Sequence, residues 1–125
     1  MKKLQLDGVS KQRLNEIHVT KENRVYLGYI RGMAYYDEMQ DTLALMTRKN
    51  CRGDVPESVN IQTLFEDVNG DLLIGTWKDG LYRYCIKENT FLHYPPLDEE
   101  NSVLALFQDS RGVMWIGTSG SGLYK

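Results

Sequence analysis

Residues 61–83, IQTLFEDVNGDLLIGTWKDGLYR, decide the fold, because residues 103–125, VLALFQDSRGVMWIGTSGSGLYK, restate them. At a shift of 42 positions, Leu64, Phe65, Asp67, Gly70, Ile74, Gly75, Thr76, Gly80, Leu81 and Tyr82 meet identical residues between Leu106 and Tyr124. Ten identities in 23 gapless positions mark an internal repeat, and a repeat of this period constrains the fold more than any single element. A weaker copy lies upstream at a shift of 47, where Leu14, Ile17, Leu27 and Gly28 answer to Ile61, Leu64, Ile74 and Gly75. After a one-residue deletion, Gly32, Met33 and Tyr36 answer to Gly80, Leu81 and Tyr84, and Thr42 to Thr90.

Each unit reads as short strands joined by tight turns. In the second unit the strands run from Ile61 to Asp67, Leu72 to Trp77, Leu81 to Ile86 and Thr90 to Tyr94. Asn69-Gly70 between the first two predicts a type I′ hairpin turn, which needs positive φ at both central residues. Pro95-Pro96 then ends the sheet, because proline cannot donate to a ladder. The apolar residues run together, as in Leu72-Leu73-Ile74 and Met114-Trp115-Ile116, which predicts strands buried on both faces. Four antiparallel strands per unit, a period in the forties and two-sided burial describe an all-β chain, a β-propeller fragment of three blades. Residues 14–60 form a divergent first blade, 61–102 the second, and 103–125 a third without its fourth strand. Residues 1–13 read as the last strand of a preceding blade, Lys3 to Leu6, and a linker.

The unit's pattern is Asp67-x-x-Gly70-x-x-Leu73-Ile74-Gly75-Thr76-x-x-x-Gly80-Leu81-Tyr82. The third unit keeps it as Asp109-x-x-Gly112-x-x-Trp115-Ile116-Gly117-Thr118-x-x-x-Gly122-Leu123-Tyr124. This resembles the two-component regulator propeller repeat and differs from WD40 and kelch signatures. The first unit departs from it, with Thr20 for the Asp, Asn23 for the Gly and Tyr29 for the Thr. The resemblance implies a piece of the sensor region of a hybrid two-component sensor histidine kinase, an exported region that commonly responds to oligosaccharides. None of the kinase parts lies in this chain. A periplasmic location follows from the same resemblance, although Met1-Lys2-Lys3 is not followed by the apolar stretch of a signal peptide.

Composition narrows the partners. A formal charge of −2, with no basic run, offers no field for a nucleic-acid backbone. No apolar stretch approaches the roughly 20 residues of a membrane-spanning helix. Cys51 and Cys85 form neither a disulfide framework nor a CxxC pair. Strand geometry places Cys51 on the rim of the second-to-third-strand turns and Cys85 toward the opposite rim, so both are expected as free thiols.

Motif residues read as structural. Asp67 and Asp109 are expected to accept from hairpin amides, Thr76 and Thr118 to bond a turn, and Gly75 and Gly117 to admit a neighbouring backbone. Asp67-Val68-Asn69-Gly70-Asp71 is not an EF-hand loop, since its sixth and twelfth positions are Leu72 and Lys78. The glycines from Gly117 to Gly122 lack the Lys of a phosphate loop. His18 and His93 have no acidic or cysteine company in the sequence, and Asp98-Glu99-Glu100 reads as a solvated loop. No metal or cofactor is expected.

Function is expected where blades differ, on the rim that gathers the second-to-third-strand turns and the links between blades. An exposed aromatic beside polar groups suits a sugar, whose apolar ring face stacks while its hydroxyls take hydrogen bonds. Trp77, Lys78 and Asp79 fit this best, with Tyr29 and Arg31 at the corresponding turn of the first unit; Ile30, Ser119 and Ser121 share the rim. The expected partners are therefore an oligosaccharide and either further blades of a sensor or a second copy of this chain. An alternative reading makes these blades purely structural or dimerising. A third, a fragment of a propeller glycoside-processing enzyme, needs carboxylates on the innermost strands, where only Glu16, Thr63 and Ala105 stand. Three blades fall below the roughly four needed to close a propeller, which predicts association, most simply two chains completing six blades by strand exchange.

Overall fold

The computed structural model describes residues 1–4, 12–95, 102–120 and 122–125. The first sheet orders β1 (Leu14–Val19), β2 (Val25–Tyr29), β3 (Gly32–Asp37) and β4 (Thr42–Leu45) as an antiparallel meander. The second contains β5 (Arg52–Gly53), β6 (Ile61–Glu66), β7 (Leu72–Thr76), β8 (Leu81–Cys85) and β9 (Thr90–Tyr94), in the order β5-β9-β8-β7-β6. The third orders β10 (Val103–Gln108), β11 (Met114–Thr118) and β12 (Leu123–Tyr124). These are stacked propeller blades, with β1, β6 and β10 as their innermost strands.

The expected strands appear within a residue of their bounds, with one addition and one exception. The addition is β5, which pairs parallel with β9 and gives the second blade a fifth strand. Its anchor is Asn89 in the turn before β9: Asn89 Nδ2 donates to the Asn50 carbonyl at 2.7 Å, and the Arg52 amide donates to the Asn89 carbonyl at 2.9 Å. Part of the link expected on the rim therefore runs along the blade's outer edge. The exception is the strand expected from Lys3 to Leu6: Lys3 and Leu4 are not in a strand, and Gln5 and Leu6 lie outside the described residues.

One loop design joins the first two strands of every blade, and it is not the type I′ turn expected from Asn69-Gly70. Gly70 has φ 85°, whereas Asn69 is not among the positive-φ residues. The Gly70 amide donates to the Asp67 carbonyl at 3.1 Å and the Asp67 amide to the Asp71 carbonyl at 2.9 Å. This is a type I turn followed by a residue in the left-handed region. The Asp67 carboxylate selects it: Oδ1 accepts from the Asn69 and Asp71 amides at 2.9 and 3.0 Å, while Oδ2 accepts from Arg83 at 2.8 Å. Asp109 repeats the arrangement with the Arg111 and Val113 amides at 2.9 and 3.0 Å and the Trp115 indole at 3.0 Å. In the first blade Thr20 Oγ1 accepts from the Arg24 amide at 3.1 Å, and Asn23 takes the left-handed slot at φ 65°. Thr20 and Asn23 are thus chemical equivalents of the Asp and Gly they replace.

The Asp109 contacts carry a pH dependence. The hydrogen bond from Trp115, then those from the Val113 and Arg111 amides, lower its pKa below the ordinary 3.8. A folded-state pKa below the unfolded one gives stability that is complete above the unfolded value and is lost as pH falls through the folded value. Melting temperature is expected to fall less steeply below pH 4 in Asp109→Asn than in the parent, which acid-range thermal melts would check.

The core lies between blades one and two. Tyr26, Met33, Met46, Cys51, Val55, Ile61, Leu64, Leu72, Ile74, Tyr82, Tyr84 and Phe91 form one buried cluster, and β7 is buried at all five positions. The repeat glycine of the second strand makes the blades nest. A methyl group on Gly28 would stand 2.5 Å from Ile61 Cγ2, and one on Gly75 would stand 2.7 Å from Val103 Cγ1. Each glycine is the notch into which the next blade's innermost strand sets its first side chain. Thr76 and Thr118 close the following turn, each Oγ1 donating to a glycine carbonyl, Gly80 or Gly122, at 2.7 Å.

Candidate functional site: a cleft beside Trp77

The three innermost strands share a β-bulge at their second residue. The pairing register slips between Leu14 and Glu16, between Ile61 and Thr63, and between Val103 and Ala105. A bulge re-aims the side chain of its extra residue. The bulged residues here are Asn15, Gln62 and Leu104, and the first two face a cleft of about 260 Å³ between blades one and two. Arg13, Ile30, Asn60 and Trp77 complete its lining. All six residues sit where first strands begin and second strands end, so they share one rim.

Trp77 follows β7 directly and stays 47% exposed, its amide donating to the Asn60 carbonyl at 2.9 Å. The amides beside it are ordered by one another. Asn15 Nδ2 donates to Asn60 Oδ1 at 3.0 Å and to the Ile61 carbonyl at 2.9 Å, and Gln62 Nε2 donates to Asn60 Oδ1 at 3.0 Å. That leaves Asn15 Oδ1 and Gln62 Oε1 as acceptors, and the Asn60 Nδ2 hydrogens as donors. Arg13 lines the cleft and has no side-chain partner among the described residues. The arrangement offers an apolar ring face, neutral donors and acceptors, and one cation.

The residues expected from sequence divide around this cleft. Trp77 lines it. Tyr29 does not supply a second ring, because it occupies the slot of Thr76 opposite Leu14, is 6% exposed and packs with Leu27, Ala34 and Leu43. The residue after β2, corresponding to Trp77, is Ile30. Asp79 turns away: its carboxylate accepts from the Tyr82 hydroxyl, and its carbonyl pairs with His93 Nε2 at 2.7 Å. Lys78 and Arg31 are exposed outside the cleft lining, their amides bound to Ser102 Oγ at 3.0 Å and Gln12 Oε1 at 3.0 Å. Ser121 and the cluster Asp98-Glu99-Glu100 lie outside the described residues. Ile30 and Asn60, the latter ending the link from Thr47 to Asn60 expected on this rim, line the cleft as well, whereas Arg13, Asn15 and Gln62 were not expected. Laying the units over one another puts Asn15 on Gln62, a polar residue at the same point of two core-forming strands, and that was the available clue.

Two expectations need correcting. Both histidines have acidic company: His18 Nε2 lies 3.1 Å from Glu66 Oε1, and His93 Nε2 lies 3.7 Å from Asp79 Oδ1. Folding of the repeat supplies the His18 partner from 48 positions away. The cysteines are not at opposed rims. Arg52 and Cys85 both pair with Thr90, on its two sides, so Cys51 and Cys85 flank one strand. Two strand spacings, about 9–10 Å, exceed the ~7 Å limit for a disulfide, and both thiols are free. Burial pushes both thiol pKa values up, with Asp71 the next cause at Cys85, which makes them poor nucleophiles.

Residues 98–120 match the family described as Two component regulator propeller. No curated protein matches the chain. Among solved structures it is similar to the extracellular domain of the putative hybrid two component system BT3049 from B. thetaiotaomicron, at 22% identity and TM-score 0.69, over 88% of this chain and 14% of that one. It is equally similar to the extracellular domain of the putative one component system BT4673 from the same organism, at 22% identity and TM-score 0.72, over 89% of this chain and 14% of that one. The chain thus spans about a seventh of these neighbours, and the likeness is one of fold. Residues 98–120 are thus similar to the two component regulator propeller repeat, and the chain folds as the blades of a β-propeller.

Proposed function

We propose that this chain is part of the ligand-sensing propeller of an exported two-component sensor, and that its Trp77 cleft contacts an oligosaccharide. The observation that carries the reading is Trp77, half exposed beside the ordered amides of Asn15, Asn60 and Gln62. A pyranose has an apolar face that stacks on an indole and a hydroxyl rim that both donates and accepts. Side-chain amides also do both, without the desolvation cost of burying a full charge. At about 260 Å³ the cleft is below the ~300–1,000 Å³ of small-molecule pockets, which suits a short stretch of a longer sugar chain. A periplasmic location and a purely binding role accord with this reading, as does the extracellular setting of the structural neighbours.

A panel of oligosaccharides should contain at least one that shifts tryptophan fluorescence and raises the melting temperature. Saturation at about 100 Kd stabilises a protein by roughly 2.7 kcal/mol. Trp77→Ala should keep parental stability within about 0.5 kcal/mol and weaken that sugar about tenfold or more. A panel that moves neither signal contradicts the binding role and favours structural blades.

A further inference from the structure

The two blade junctions within the chain obey one rule, and its terms recur on a surface that nothing among the described residues covers. The first element is the notch. Ile61, 0% exposed, fills the space over Gly28, and Val103 fills that over Gly75. Both are the first residue of an innermost strand and both are β-branched, so a γ-methyl is held over the notch by a stiff χ1. The second element lies five residues further along the same strand. Glu66 Oε1 accepts from the Lys21 amide at 3.2 Å, and Gln108 Oε1 accepts from the Val68 amide at 2.9 Å. In each case the amide belongs to the hairpin loop of the preceding blade, one residue after Thr20 or Asp67.

The third blade presents both elements unfilled. Among the described residues a methyl on Gly117 would meet only its own sheet, Ala105 Cβ at 3.4 Å being nearest. Ser110 follows Asp109 as Val68 follows Asp67, and its amide has no partner among the described residues. The same blade leaves Leu104, Phe107 and Leu123 exposed. We infer that this face is the docking surface for a further propeller blade whose innermost strand carries a β-branched residue and, five positions later, a Glu or Gln.

The requirement is selective, because the chain's own free strand fails it. β1 carries Leu14, 42% exposed, where Ile61 and Val103 stand, and Val19, 55% exposed, where Glu66 and Gln108 stand. Leu14 branches one carbon further out, and Val19 has no acceptor. A second copy docking β1 on the third blade would bury the Ser110 amide without a partner, which works against head-to-tail self-association.

The test rewrites β1 to satisfy the rule. Leu14→Ile with Val19→Gln changes two exposed residues, so the fold should hold, and thermal melts would check that it does. Sedimentation equilibrium is expected to show at least about tenfold tighter self-association of this double variant than of the parent. Adding Gly117→Val, which fills the notch, should return association to the parental level. A double variant no tighter than the parent would overturn the inference, as would one insensitive to Gly117→Val. A parent that already associates through Gly117 as tightly as the double variant would overturn the selectivity.

Discussion

Replacing Gly75 by alanine is expected to cost the protein about 3 kcal/mol, the upper part of the range for overpacking a core. The added methyl would lie 2.6 Å from Thr63 Cγ2, 2.7 Å from Val103 Cγ1 and 3.0 Å from the Val103 carbonyl oxygen. Two of these contacts are side-chain methyls, but the third is backbone of the adjacent blade, so relief requires the blades to part. A loss of that size is a large fraction of the 5–15 kcal/mol that typically holds a small domain together. Gly117→Ala is the internal control. Its nearest neighbour, Ala105 Cβ at 3.4 Å, is an ordinary contact, and alanine reduces the entropy of the unfolded chain. It should be neutral or stabilising by a few tenths of a kcal/mol. Urea unfolding of the two variants would check the contrast, and equal losses would show that the notch does not seat the next blade.

Asp67→Ala should be comparably damaging, at about 2–4 kcal/mol. The side chain is only 4% exposed in the folded chain. Its removal strands the Asn69 and Asp71 amides and takes from Arg83 the nearer of two carboxylates, at 2.8 Å, leaving Asp71 at 3.2 Å. Asp67→Asn should recover about half of the loss, since its carbonyl oxygen still accepts both amides while the charge is gone. Thr20, whose side chain holds the first blade's loop through the hydrogen bond from the Arg24 amide, should cost only about 1 kcal/mol on conversion to alanine. The ordering Asp67→Ala, Asp67→Asn, Thr20→Ala in urea midpoints checks the account of the loop.

The repeat made most of the fold legible, because its residues act locally and identically in each blade. Asp67 and Asp109 face their own loop amides, Thr76 and Thr118 their own turn, and Tyr84 and Tyr36 donate alike at 2.6 Å to Asn89 and Asp41 in the third turn. Even the departures in the first blade obey the same chemistry, as Thr20 and Asn23 show. What escaped was non-local or too short to have a pattern. β5 is two residues long, and its pairing depends on Asn89, 39 positions from Asn50. The turn after Asp67 departs from its sequence pattern because Asn-Gly favours type I′ in isolation, whereas the buried carboxylate imposes type I. The cleft was legible at Trp77, at Ile30 and at the end of the link before Ile61, but not in its other polar side chains. Its polar side chains come from two blades and meet only through the bulges at Asn15 and Gln62, which strand periodicity does not announce.

In the proposed site Trp77, and not the chain's other tryptophan, meets the ligand. Trp115 is committed elsewhere: its indole donates to Asp109 at 3.0 Å, and Lys125 Nζ stands 5.6 Å from its ring. A ¹H–¹⁵N correlation spectrum of the chain will therefore show two indole signals, assigned through Trp77→Phe. On titration with an oligosaccharide that raises the melting temperature, the Trp77 signal is predicted to move and saturate while the Trp115 signal stays in place. Movement confined to Trp115, or none at either indole, would contradict the proposed site.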